Sequence, residues 1–256
     1  MKSLLNNHKV LIAGAGGLLG AKVVKHALDQ GANVIAADIN LELMSEKLIA
    51  QDVNIESSEL ELVKLDVTSE SDMKAFFACR NDITGAVNST YPRNKTYGAH
   101  FFDVSLDSFN ENLSLHLGSA FLFTQQCAAY FKNNQTPLSL VNISSIYGVV
   151  APKFDIYDNT PMTMPVEYAA IKSAILHLNK YASAYVNDSR FRINCVSPGG
   201  IFDHQPDAFL EAYKSNTHGA GMLDVEEIIG SVLFLLSDQS KFVTGQNIIV
   251  DDGFSL

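Results

Sequence analysis

No cluster of lysines or arginines occurs anywhere in the chain, and the formal net charge is -10. Phosphate backbones and anionic lipid surfaces are gripped by grouped cations, so neither nucleic acid nor a membrane is an expected partner. Cysteine is scarce. Cys79, Cys127 and Cys195 stand far apart, form no CxxC pair, and cannot all pair with one another. Reduced cysteines in a cytoplasmic protein follow, and no metal site is expected. Long apolar runs are missing as well. The stretch "VLIAGAGGLLGA" is too short and too glycine-rich to span a bilayer, and "MKSLLNNHK" holds no secretion-type apolar core. There is no internal repeat and no low-complexity linker.

What is present is an alternation of two periods. With 256 residues, 47% of them hydrophobic, the chain can bury one sizeable core. The strand-like runs are "KVLIAG", "ANVIAAD", "LELVKLDV", "ITGAVN", "LSLVNIS", "FRINCVS" and "QNIIVDD". Helix-length segments separate them, two of them long: about 106–132 and 166–185. This predicts an α/β fold, a single-domain Rossmann-type doubly wound parallel sheet with helices on both faces. Ligands in such folds sit beyond the carboxyl ends of the strands.

Two local patterns fall at such ends. "AGAGGLLG" follows the first strand and opens the first helix, with Gly14, Gly17 and Gly20 spaced by three. Glycines there let the backbone approach a pyrophosphate seated on the helix N-terminus. Leu19 breaks the GxGxxG spacing, and a plain tight turn is the alternative for the loop alone. Asp38 ends the second strand, where a carboxylate would bind the adenosine ribose and repel a 2′-phosphate. NAD is therefore expected over NADP. In "EYAAIKS", Tyr168 and Lys172 lie one turn apart on one helical face. A phenol titrates near ~10, and an adjacent ammonium together with a bound nicotinamide cation would lower it toward a working acid/base.

The glycine loop, Asp38, "LDVTSES", "VNISS", YxxxK, "RINCVSPGG" and "VLFLLSDQSKFVTGQNIIVDDGF" together resemble the short-chain dehydrogenase/reductase family along nearly the whole chain. The resemblance implies roles. Tyr168 would be the acid/base, Lys172 would hold the nicotinamide ribose, and Ser145 would bond the reacting oxygen. Leu18 and Leu19 would join the glycines at the pyrophosphate. Ile39, Asp66 and Val67 would face the adenosine. Asn88, Ser89, Pro198, Gly199 and Ile201 would line the nicotinamide end. The segments "YPRNKTYGAHFFD" and "SSIYGVVAPKFDIYDNTPMTMPVEYAAIK" resemble a bacterial subgroup associated with flagellin glycosylation and nonulosonic (legionaminic-type) sugar synthesis.

Departures from the family pattern mark the substrate side. Asn88, Ser89, Thr90 and Tyr91 stand where the family carries NNAG, and Tyr91 is expected to fill space that the glycine leaves open. The relay asparagine's position is taken by His116, with Asn112 one turn earlier. His116 would either shuttle protons or be a satisfied helix histidine. About ten extra residues separate Ser145 from Tyr168, an insertion at about 146–166 that would serve substrate and that contains Tyr147. A second substrate-side segment is expected at about 199–222, with Asp203 in it. Arg93 and Lys95 would grip a phosphate or carboxylate, or else are solvated loop cations.

The expected activity is NAD-dependent hydride transfer to or from a hydroxyl or carbonyl carbon of a polar, sugar-derived small molecule. The alternatives are a sugar epimerase or dehydratase that uses NAD as a transient hydride store, and a non-catalytic NAD-binding regulatory protein. The two long helices resemble the elements that pair across a two-fold axis in the family, so a homodimer or homotetramer is expected.

Overall fold

The structure, a computed structural model, describes residues 3–256. Seven strands form one parallel sheet in the order β3-β2-β1-β4-β5-β6-β7. They are β1 (Lys9–Ala13), β2 (Asn33–Asp38), β3 (Leu60–Lys64), β4 (Gly85–Asn88), β5 (Leu138–Ile143), β6 (Phe191–Pro198) and β7 (Asn247–Val250). The helices are α1 (Leu18–Asp29), α2 (Leu41–Ile49), α3 (Glu70–Ala78), α4 (Leu106–Asn112), α5 (Gly118–Asn134), α6 (Val166–Val186), α7 (Asp207–Lys214) and α8 (Glu226–Leu236). The strand order reverses between β1 and β4, which makes the gap above them the topological switch point.

Alternation along the strands divides the core in two. Val10, Ile12, Val34 and Ala36 face α1 and α8, while Leu11, Ala13, Ile35 and Ala37 face α3 and α5. Both faces are fully buried, as the near-continuous apolar strands require. Register then lines up the strand ends. Ala13 pairs with Ala37 and with Asn88, Asn88 pairs with Asn142, and Asn142 pairs with Cys195. The loops that leave β1, β4, β5 and β6 at these ends line one cleft.

Two features differ from the sequence expectation. The helix expected from 106 to 132 is interrupted by a π-helical turn, Leu113–Leu117, between α4 and α5. Such turns often mark functional positions, and this one carries His116. The second is α7, a short helix within 199–222 that the sequence pattern did not announce. Phe209 and Tyr213 anchor it against Tyr157, which precedes α6, and against Phe254.

Candidate active site

The glycine loop is shaped by close approach. Gly14 takes φ +81, and a Cβ there would come within 2.9 Å of the Ser89 backbone. A Cβ on Gly20 would collide with the Gly14 carbonyl oxygen. Gly20 therefore lets α1 start directly against the end of β1. Unlike α2, α3 and α4, whose first turns are capped by Asn40, Ser69 and Ser105, α1 has no side-chain cap and no acidic residue in its first turn. Its leading N–H groups face the cleft bare, and this fits an anionic pyrophosphate. Asp38 accepts from the Gly16 N–H at 2.9 Å and the Asn40 N–H at 3.1 Å, so its carboxylate is fixed beside the loop. Leu18 and Ile39 stand exposed at this end.

A single cleft of about 810 Å³ runs from Gly17, Leu18, Leu19 and Gly20 past Ser89, Ser145, Tyr168 and Lys172 to Pro198, Gly199 and Ile201. Most of the residues expected at the pyrophosphate, nicotinamide and reacting centre thus share one wall. Asn88 lies buried under it, where its side chain accepts from the N–H and hydroxyl of Thr90. Asp66 is held in its own turn by the Thr68 N–H at 2.8 Å, next to buried Val67.

At the centre, Lys172 is buried and its Nζ donates to the Ile143 carbonyl at 2.9 Å. The Ser144 hydroxyl donates to the Lys172 carbonyl at 2.8 Å, tying β5 to α6. Burial pushes the Lys172 ammonium down to about 8. Its Nζ lies 5.4 Å from the centre of the Tyr168 ring and 5.6 Å from that of Tyr91. Burial raises the Tyr168 phenol above its ordinary value, and the neighbouring Ser145 hydroxyl pulls the other way. The downward shift expected from the sequence belongs to the cofactor-bound protein, with the nicotinamide cation beside the phenol. In the chain alone, desolvation of a phenolate outweighs its neighbours.

The backbone of Ser89 and Thr90 packs on Gly14, and Tyr91 lines the same cleft. Its ring is turned toward three other rings. It meets Tyr168, Tyr97 and His116 edge-on, at centroid separations of 5.7, 5.7 and 4.9 Å. Its hydroxyl bonds that of Tyr97. Arg93 lays its guanidinium over the same ring at 4.9 Å, lines the cleft, and makes no ion pair among the described residues.

Arg93 and Lys95 are both exposed, and of the two only Arg93 lines the cleft. His116 is enclosed beneath Tyr91, and burial holds its pKa down at about 2. Burial thus opposes the protonated form that a shuttle passes through. Asn112 is likewise buried and engaged, donating to Asn94 and Glu167.

Several cleft residues carried no sequence signal. Tyr147, which was expected, meets Tyr157 hydroxyl to hydroxyl at 3.4 Å. Met162, Met164, Phe209, Tyr213 and Met222 complete an apolar and aromatic wall. The Tyr213 hydroxyl accepts from the Gly200 N–H at 2.5 Å. Asp203, bracketed by Gln205, is the only acidic residue of the lining.

A doubly wound sheet with a bare helix N-terminus at its switch point, and a Ser–Tyr–Lys set across the same cleft, defines a nicotinamide-dependent oxidoreductase acting on CH–OH groups. The comparisons agree. A family model described as enoyl-(acyl carrier protein) reductase matches residues 14–255, and the chain belongs to the short-chain dehydrogenase/reductase family. It is 39% identical over 257 residues to post-translational flagellin modification protein A of Campylobacter coli, covering 99% of this chain and 100% of that one. It is 28% identical over 264 residues to the 3-oxoacyl-[acyl-carrier-protein] reductase FabG of Chlamydia trachomatis, with 100% of both chains covered. A short-chain dehydrogenase from Leptospira borgpetersenii, solved with bound NAD+, superposes with a TM-score of 0.86 at 29% identity, over 98% of this chain and 94% of that one. Among the described residues, no helix is long and apolar enough to cross a membrane.

Proposed function

We propose that the protein moves a hydride between NAD and a hydroxyl or carbonyl carbon of a polar, sugar-derived substrate, with Tyr168 as acid/base. The convergence of Ser145, Tyr168 and Lys172 on one cleft with the glycine loop carries this reading. Nicotinamide, when bound, supplies the hydride acceptor or donor. The chain's residues supply the rest. The bare first turn of α1 takes the pyrophosphate, and Asp38 takes the adenosine ribose hydroxyls, which favours NAD over NADP. Lys172 holds the nicotinamide ribose and places a positive charge against the Tyr168 ring. Ser145 bonds the reacting oxygen, while Tyr168 gives it a proton in reduction or takes one in oxidation.

The substrate reading rests on three features. The 146–166 insertion and the 199–222 segment form a wall of tyrosine, phenylalanine and methionine, which suits the apolar face of a sugar ring. Arg93, exposed at the cleft lining and without an ion pair among the described residues, suits a phosphate or carboxylate. The Campylobacter coli relative carries a name from flagellin modification.

The test is a panel of phosphorylated and nucleotide-linked sugars offered with NAD and with NADP, followed by NADH absorbance. Turnover of an anionic sugar with NAD is the expected result. Turnover confined to uncharged alcohols would contradict the substrate reading. Exposed Phe121, Tyr181 and Tyr185 on α5 and α6 suit burial in a homo-oligomer. Light scattering should therefore report at least a dimer, and a monomer would refute that part.

A further inference from the structure

Glu167 precedes the reacting tyrosine on α6 and is completely buried. Its Oε1 accepts from Asn112 Nδ2 at 3.3 Å, while its Oε2 has no hydrogen-bond partner among the described residues. A carboxylate at a helix N-terminus ordinarily lies in solvent and interacts with the dipole from there. An apolar side chain of the same volume would pack in this place without the desolvation cost. Stability alone does not account for a carboxylate here.

The contact continues outward. Asn112 pairs reciprocally with Asn94. The Asn94 N–H donates to Asn112 Oδ1 at 3.0 Å, and Asn112 Nδ2 donates to Asn94 Oδ1 at 3.1 Å. Asn94 also donates from Nδ2 to Glu111 Oε2 at 2.7 Å and to the Ser108 hydroxyl at 3.2 Å. Its Oδ1 accepts from the Thr96 N–H at 3.1 Å. Asn94 is thus the anchor of the 89–98 segment, midway between Tyr91 and Tyr97, and the anchor is made fast to α6 one residue before Tyr168. Tyr91 and Tyr97 meet each other through their hydroxyls, and Tyr91 meets the Tyr168 ring edge-on.

We propose that Glu167 is a positioning residue: through Asn112 and Asn94 it holds Tyr91 against Tyr168, with Tyr97 against Tyr91, so that the segment forms a fixed wall over the reacting centre. What the link requires of Glu167 is an acceptor oxygen, and glutamine keeps one. The importance of that wall rests on Tyr168 being the reacting group. The readouts chosen for the test do not depend on it.

The experiment is hydrogen exchange of the whole purified chain, read by mass spectrometry on the peptide spanning 89–98, with tyrosine near-UV circular dichroism alongside. The chain has no tryptophan to mask the tyrosine bands. Glu167→Ala should speed exchange of that peptide roughly 3- to 10-fold, the scale of one lost hydrogen bond. It should also remove the part of the tyrosine ellipticity that Tyr91→Leu removes. Glu167→Gln should restore both readouts. Asn94→Ala, a change on a partly exposed loop that leaves the core intact, should reproduce the Glu167→Ala result, and the double variant should add little. Unchanged exchange in Asn94→Ala and Glu167→Ala overturns the proposal. So does a Glu167→Gln variant as loose as the alanine one, because charge rather than an acceptor oxygen would then be what counts. A failure of the oxidoreductase reading would appear in turnover and would leave these readouts unchanged.

Discussion

The glycine loop and the 89–98 segment lie side by side over the strand ends and are held by different means. The first is a backbone object. Its shape follows from Gly14 at positive φ, from Gly20 packed on a carbonyl oxygen, and from the bare first turn of α1. The second is a side-chain object. Its shape follows from the Asn94–Asn112 pair, the Tyr91–Tyr97 hydroxyl contact and the edge-on ring contacts around Tyr91. Backbone geometry suits a cofactor whose phosphates and riboses are always the same. Side-chain geometry can be rebuilt for a different substrate without disturbing the sheet.

If that contrast holds, the two regions should fail differently. The largest effect belongs to the backbone side. Gly20→Ala forces a Cβ onto the Gly14 carbonyl oxygen, so the variant should lose about 1–3 kcal/mol of stability in urea titration and most of its NAD affinity by calorimetry. Retained NAD affinity would mean that the loop is not as rigid as described.

Next comes the buried imidazole under Tyr91. The His116 pKa of about 2 lies below the ordinary 6.5. The unfolded chain therefore binds a proton that the folded chain refuses between those two values. Stability from this group is complete above about 6.5 and is lost as pH falls toward 2. At pH 5 the loss should be about 2 kcal/mol. His116→Gln should flatten that part of the acid-side fall in Tm, and an unchanged fall would place the imidazole in water.

Asp38→Ala should narrow the NAD-over-NADP preference by roughly tenfold, on the scale of a hydrogen bond to a charged group. An unaltered preference would remove Asp38 from the ribose. The smallest effect is Arg93→Ala, for which we expect a rise of a few-fold in substrate KM with the NAD constant unchanged. An equal KM would return Arg93 to the solvated surface beside Lys95.

The same contrast explains what the sequence made legible. The sheet and the glycine loop could be read because their causes are local: period-two apolar runs, and glycines where backbones touch. Tyr168 and Lys172 could be read because a helix places residues four apart on one face. The π turn was not legible, because nothing in "LSLHL" distinguishes it from an ordinary helix. The fate of His116 was not legible either. Its spacing matched a relay position, but its burial is set by Tyr91, 25 residues earlier. α7 escaped notice because the partners of Phe209 and Tyr213, Tyr157 and Phe254, come from distant parts of the chain. Nothing in "EYAAIKS" signals that Glu167 is buried rather than solvated at its helix end.

The central claim is that Tyr168 is the acid/base of a hydride transfer whose cofactor is bound without its help. Tyr168→Phe, assayed on whichever sugar of the panel the wild type turns over, is the most direct measurement. The account predicts at least about a hundredfold loss of turnover, the scale of general acid–base catalysis, with NAD affinity retained. Turnover equal to wild type would contradict it.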